Sequence, residues 1–450
     1  MKYIRLLSRL LVGIVFIFSG FVKAVDPLGS AYKFADYFSA FKLGFLEFLT
    51  LPMGIFLSAF EMVLGIILIL GYRRRMAFLV LMLFMSFFTV LTFILALFNP
   101  VSDCGCFGDA LILTNWQTFF KNVVLMIFVL ILYFSRKSET DAGQPLREWT
   151  VVVSLFVFTS LFSFWNYRHL PLLDFRPYDL GTVVSEEMEV PDGVGMDEYS
   201  TTLIYRNRET GKTSSFSMED YPKDTLNWEF VDSESKLVKK GYEPPIHDFA
   251  IMDPSGIDLV DEILSDREYS LLMVSYRLSR ADEQALIKAE EWSKLEVFAE
   301  DFSFYALTAT TTAEVESISS ELDLDYPFMA GDEIMLKTIV RSNPGFMLLR
   351  NGAIIGKWGY RDFPLLEEVD SHLPELMGNA SAPMDEEAQL LMDAGIFDEF
   401  SFDMVEFDQI IPKLLLNDSA ARSEQAVTIV FILSVLLLLL LSGRISPVKV

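Results

Sequence analysis

Cysteine and histidine are nearly absent from this chain, and its cations are outnumbered. Two cysteines, Cys104 and Cys106, occur in 450 residues. A disulfide-stapled scaffold needs several spread pairs, so that class is excluded. The three histidines, His169, His247 and His372, lie far apart in sequence. No second Cys/His pair is available, and no metal centre is expected. Lys and Arg number 36 against 62 Asp and Glu, a net charge of −26. Nucleic acid as a partner would require the opposite balance.

What is abundant is apolar: 52% of the chain is hydrophobic. A membrane-crossing helix needs ~20 mostly apolar residues. Such runs fall near 4–24, 52–71, 76–98, 118–134, 149–167 and 427–443, the fifth diluted by Ser154, Thr159, Ser160 and Ser163. The first begins with Lys2, Arg5 and Arg9 but is longer than a signal-peptide core, so it reads as an uncleaved helix. Alternate connections carry Lys2/Arg5/Arg9, Arg73/Arg74/Arg75, Arg136/Lys137/Arg147 and Arg444/Lys449. Positive loops face the cytoplasm. Both termini are therefore expected inside a plasma (inner) membrane, with 25–51, the Cys loop at 99–117 and 168–423 outside. The stretch 168–423 holds 52 acids and 21 bases, a charge of −31. Its acidity reads first as an outward, soluble surface.

Domain organisation follows. Residues 1–134 form a four-helix unit, 135–148 a cytoplasmic linker and 149–167 a fifth span. Residues 168–243 are a β-rich outer segment, with a hairpin from Thr201–Tyr205 and Thr213–Ser217 about Gly211. Residues 244–375 alternate strand and helix, which means an α/β fold. Its strands are expected at 270–276 and 302–308, and its helices at 281–294 and 312–322, the latter capped by Thr312. Asn351-Gly352 between two β-prone runs signals a closing hairpin. An acidic helical segment, 376–423, leads to the sixth span.

Two resemblances attach to these blocks. Phe18-Ser19-Gly20-Phe21-Val22-Lys23-Ala24 before Asp26-Pro27, Glu61 in the second span and Asp103-Cys104-Gly105-Cys106-Phe107-Gly108 together resemble the DoxX/MauE group of four-helix membrane proteins. That group is redox-associated, and MauE members are linked with methylamine utilisation and with disulfide formation in an exported enzyme. Separately, Gly241–Phe249 through Asp253-Pro254-Ser255-Gly256, with Asn343-Pro344-Gly345 before the hairpin, is similar to TlpA/peroxiredoxin-type thioredoxin folds. The resemblance implies a cis-proline at Pro344 with a peptide-binding edge beside it. It also implies a Cys-x-x-Cys pair after the 270–276 strand, where this chain has Tyr276-Arg277-Leu278-Ser279. The expected fold is thus a membrane helical bundle, four helices plus two further spans, with an extracytoplasmic thioredoxin-like domain that lacks redox cysteines.

The candidate site residues are Cys104, Cys106, Glu61 and Lys23. The cysteines are one residue apart on the oxidising side. A bridge between them closes a small, strained ring, which is readily reduced. The pair could instead be a permanent clip, two unpaired thiols or half of a metal site. Lys23 and Glu61 are ionisable groups in or beside apolar spans, where charge is expensive and usually paired or functional. Glu61 lies about nine residues into its span, ~13 Å deep. It could pair with Lys23 or take a proton near the thiols, while Lys23 could instead snorkel to the interface. Asp103 and Asp109 flank the pair, and a nearby carboxylate raises a thiol pKa. Gly105 and Gly108 permit a tight loop, and Trp116 marks the outer interface. The function expected is a redox-associated membrane protein that presents the Cys pair to an exported or envelope thiol protein, with the thioredoxin-like domain as a binding module. A quinone could regenerate the disulfide, though no residue specifies one. The rival is a non-catalytic, membrane-anchored envelope scaffold. A proton-coupled transporter finds no support in repeats or broken helices.

Overall fold

The computed structural model describes residues 2–138, 145–191, 195, 198–218, 220–239, 241–266, 269–295 and 302–363. The expected sixth span at 427–443, the acidic segment at 376–423 and His372 lie outside the described residues. Among the described residues, five helices are long and apolar enough to cross a bilayer. They are α1 (Lys2–Val25), α3 (Thr50–Leu70), α4 (Arg74–Phe98), α5 (Asn115–Ser135) and α6 (Pro145–Arg168), and the chain is a multi-pass membrane protein. The short helix α2 (Pro27–Ala40) lies between the first two.

Helix α2 was not foreseen; the sequence reading leaves 25–51 as an outer connection. Its start is nonetheless encoded. Asp26 accepts a hydrogen bond from Gly29 N at 2.8 Å, and Pro27 opens the first turn, where its missing N–H costs nothing. A 3-10 turn, Gly44–Leu49, then leads into α3. Helix α6 begins at Pro145, inside the linker expected to run to 148.

Apolar side chains do not drive helices together inside lipid; close backbone approach and packing do. Helices α1 and α3 meet at Gly20, where a Cβ would come within 2.4 Å of Met62 N. Val12, Phe16, Leu64, Leu68, Phe78, Leu81, Leu125 and Val129 fill the bundle core.

Residues Thr182–Phe249 form a compact unit of their own. A short helix, α7 (Val184–Met188), precedes strands β1 (Glu198–Asn207), β2 (Thr213–Ser217) and β3 (Trp228–Lys239). The antiparallel order is β2-β1-β3. The hairpin expected from 201–205 and 213–217 is present, with Leu203 opposite Phe216. The third strand was not anticipated, because its Asp232, Ser233, Glu234 and Ser235 hide the apolar alternation.

The α/β domain contains β4 (Ile251–Met252), α8 (Val260–Ser265), β5 (Tyr269–Ser275), α9 (Glu283–Leu295) and β6 (Phe302–Thr308). It continues through α10 (Thr312–Leu322), β7 (Phe328–Gly331), α11 (Glu333–Ile339), β8 (Gly345–Arg350) and β9 (Ala353–Gly359). The sheet runs β4-β7-β6-β5-β8-β9. Strands β5, β6 and β7 are parallel, β8 pairs antiparallel with β5, and β9 pairs antiparallel with β8, the thioredoxin-like arrangement. Residues 270–275 of β5 are buried, as a sheet covered on both faces demands. Leu271, Phe304, Trp292, Phe346 and Trp358 share its core. Asn351 and Gly352 both take positive φ in the closing hairpin, and the Asn343–Pro344 peptide is cis. The N-cap of α10 is Thr311, not Thr312, and its side chain makes no capping bond.

Candidate functional site

The close crossing of α1 and α3 decides the first half of the site. Ser19 and Lys23 lie four residues apart, hence on one face of α1, and that face meets Glu61. Lys23 Nζ donates to Glu61 Oε2 at 2.8 Å and to Ser19 Oγ at 2.7 Å. Lys23 and Glu61 are each 6% exposed, so the lysine turns inward and does not snorkel. A buried ion pair is tolerable only when its geometry and remaining hydrogen bonds are good. Here the third lysine proton goes to the carbonyl of Cys106 at 2.5 Å. Ser19 Oγ lies 2.7 Å from both Glu61 Oε2 and Cys106 O, and its one proton serves one of them at a time.

The second half is the loop between α4 and α5. A bridge between Asp103 and Thr114 closes its base, and Asn115 Nδ2 donates to Asn99 Oδ1 and Val101 O, both at 2.8 Å. Thr114 and Gln117 then form a capping box that starts α5. Gly105 sits at φ +65°, a conformation that penalises any Cβ, and its N–H donates to Asp103 Oδ2 at 2.8 Å. Helix α2 grips the loop from one side: Lys33 pairs with Asp103, and Tyr37 donates to Cys104 O at 2.6 Å.

The two sulfurs lie 3.1 Å apart, unbonded. Their acidities diverge. The hydrogen bond from the Cys104 thiol draws Cys106 below the ordinary thiol range against its burial, with Lys121 and Lys23 helping and Glu61 opposing. The same hydrogen bond, with burial, pushes Cys104 up. The sequence reading has flanking carboxylates raising a thiol pKa; Cys104 does lie high, but through its hydrogen bond to Cys106 and its burial, while Asp103 is paired with Lys33 and Asp109 with Arg341.

A cavity of about 420 Å³ opens beside the sulfurs. Lys23, Glu61 and the Cys loop form its polar end, and Phe16, Phe34, Phe84 and Phe88 line its body. Lys121 also faces it, with its ammonium 4.2 Å from the centre of the Phe107 ring. The structure therefore brings all four sequence-selected residues together. Ser19, Lys33, Tyr37 and Lys121 were missed. A lysine at the start of an apolar run was a usable signal for Lys121. Lys33 and Tyr37 could be found only after recognising α2. His169 pairs with Asp362 at 2.8 Å, and His247 lies near Pro244 O and Glu243. Among the described residues, no three His, Cys, Asp or Glu gather as a metal site.

Residues 1–135 match the family described as Methylamine utilisation protein MauE. The helical part is similar to MauE. Residues 199–240 match a Domain of unknown function (DUF8463). Protein TlpB of Flavobacterium psychrophilum is 24% identical over 148 residues, which is 32% of this chain. The chain spans 40% of the length of that relative. The solution structure of a candidate protein disulfide isomerase from Bacteroides thetaiotaomicron aligns at 16% identity, with a TM-score of 0.23. It covers 29% of this chain and 83% of the other.

Proposed function

We propose that this is a membrane-bound thiol oxidant, in which Cys104 and Cys106 alternate between dithiol and disulfide for an exported thiol protein on the outer face. The observation that carries the reading is two sulfurs 3.1 Å apart, at the polar end of a membrane cavity, with a buried lysine–glutamate pair touching the loop backbone. In the disulfide state, a partner thiolate attacks the Cys104 sulfur and expels Cys106, the more acidic and so better leaving group. A second partner thiolate then attacks the partner sulfur of the mixed disulfide. The partner leaves with a disulfide, and this chain is left as the dithiol. Closing the dithiol again releases two electrons and two protons. A lipid-soluble two-electron acceptor of the quinone class fits the aromatic cavity and would take them up as hydroquinone. Lys23, Ser19 and Glu61 supply a short proton route from the loop into the bundle.

The scaffold reading draws on one observation, the absence of sulfur from the turn after β5. Thiol counting separates the two. In membranes as isolated, a membrane-impermeant maleimide should label the loop only after mild reduction, and Cys106→Ser should trap the partner on Cys104. Full labelling of both cysteines before reduction, with no trapped partner, would overturn the oxidant reading and leave the scaffold.

A further inference from the structure

Arg341 ends the segment that follows α11, two residues before Asn343, yet two of its hydrogen bonds reach into the helical bundle. Its Nε donates to Asp26 Oδ2 at 2.9 Å and its Nη2 to Asp109 Oδ2 at 2.6 Å. Its Nη1 donates to Lys337 O at 2.6 Å, and its guanidinium lies 5.2 Å from the centre of the Tyr32 ring. The residue is 6% exposed. Both carboxylates belong to the frame of the thiols. Asp26 caps α2, the helix whose Lys33 and Tyr37 hold Asp103 and Cys104 O. Asp109 stands three residues after Cys106, in the 3-10 turn Gly108–Ala110 that completes the loop.

The surrounding seam is polar. Tyr32 meets Tyr276 edge-on at 6.2 Å, Lys337 lies over both rings, and Arg280 pairs with Glu47 at 2.9 Å. A cavity of about 250 Å³ lies there, lined by Tyr32, Tyr276, Arg280, Arg341 and Asn343 among others. The thioredoxin-like domain therefore meets the bundle with the turn after β5 and the loop before Pro344. Polar seams of this kind part more readily than apolar ones, so the buried two-carboxylate clamp is the contact best able to fix the geometry.

We infer that Arg341 is a positioning residue for the Cys loop, through which the thioredoxin-like domain holds α2 and the loop closed over Cys104. The domain then acts on the thiols at second hand, as a brace on the frame that α2 and the loop make. This rests on the redox reading for its consequence, but its geometry is tested separately.

The test uses the full-length, reduced protein in membranes and follows the rate at which the impermeant maleimide labels Cys104. Arg341→Gln and Asp109→Asn should each raise that rate about tenfold, the shift expected when a charge-assisted hydrogen bond of the closed state is lost. The double variant should be no faster than the faster single one, because both remove the same clamp. Arg341→Lys, which keeps the cation, should restore most of the protection. Protease resistance of the α/β domain checks folding in Arg341→Gln, and Asp109→Asn leaves that domain's sequence untouched. Unchanged rates in both single variants, multiplicative effects in the double, or no rescue by lysine would each overturn the clamp. If the wild-type pair never cycles while these variants still open the loop, the oxidant reading fails and the clamp stands.

Discussion

The Cys loop and the turn after β5 lie in different parts of the molecule, and they are filled in opposite ways. The loop carries two sulfurs 3.1 Å apart, with cations from α1 and α5 nearby. The turn, where a thioredoxin-like fold would place its cysteines, carries Tyr276-Arg277-Leu278-Ser279. Its groups are occupied structurally: Leu278 N donates to Thr310 Oγ1 at 3.0 Å, and Asn343 Nδ2 donates to Arg277 O at 2.9 Å. Arg277 pairs with Glu333 and Arg280 with Glu47. The contrast teaches that the bundle loop holds the paired sulfurs, while the turn after β5 is held by hydrogen bonds and ion pairs.

The largest expected effect tests the chemical side of that contrast. Cys104→Ser/Cys106→Ser should abolish any thiol-disulfide cycling of the full chain, read by mobility shift after alkylation with a polymer-linked maleimide. Ser279→Ala should change nothing in the same assay. Residual cycling in the double variant would place the chemistry elsewhere.

Breaking the buried pair beneath the loop comes next. Glu61→Gln leaves Lys23 without its counter-charge and should destabilise the detergent-solubilised protein by about 3–5 kcal/mol. Lys23→Met/Glu61→Gln should cost clearly less than the two single changes added together, because the second change removes the charge stranded by the first. Additive thermal-unfolding losses would contradict a coupled pair.

The segment after α6 offers a comparable buried pair in the α/β domain. Asp174 accepts from Lys357 Nζ and from Arg176 Nε, each at 2.7 Å. Burial draws Lys357 down to about 8, against the help of Asp174. The unfolded lysine stays protonated to higher pH, so the unfolded state binds more protons above about 8, and stability from this group rises with pH through that window. Asp174→Asn should destabilise by about 3 kcal/mol near neutral pH, with part of the loss relative to wild type recovered as pH rises towards 8, because Lys357 without Asp174 sheds its proton earlier. A loss that deepens with rising pH would refute the sign.

The smallest effect separates the two docking arginines. Arg280 and Glu47 are about half exposed. Arg280→Gln should shift stability by less than about 1 kcal/mol, since exposed ion pairs contribute little. Labelling of Cys104 should stay at the wild-type rate. A large change here would move the clamp from Arg341 to Arg280.

Much of this architecture is legible without coordinates. Long apolar runs have few alternatives to crossing a bilayer, so α1, α3, α4, α5 and α6 appear from composition alone. Local chemistry likewise announces the Asn351-Gly352 hairpin and the buried β5 run. Helix α2 escaped because a short amphipathic helix between two spans looks like any polar connection, despite the Asp26-Pro27 start. Strand β3 escaped because charged residues mask its period.

Sequence by itself determined the membrane bundle, the thioredoxin-like alternation and the identity of the sulfur pair, because each depends on residue type within a window of a few turns. Only the tertiary structure decided that Lys23 faces Glu61, which depends on how closely α1 and α3 cross at Gly20. It alone joined Arg341 to Asp26 and Asp109, residues 315 and 232 positions away. Such contacts arise when distant segments share one buried surface, where an unpaired charge is costly enough to select its partner.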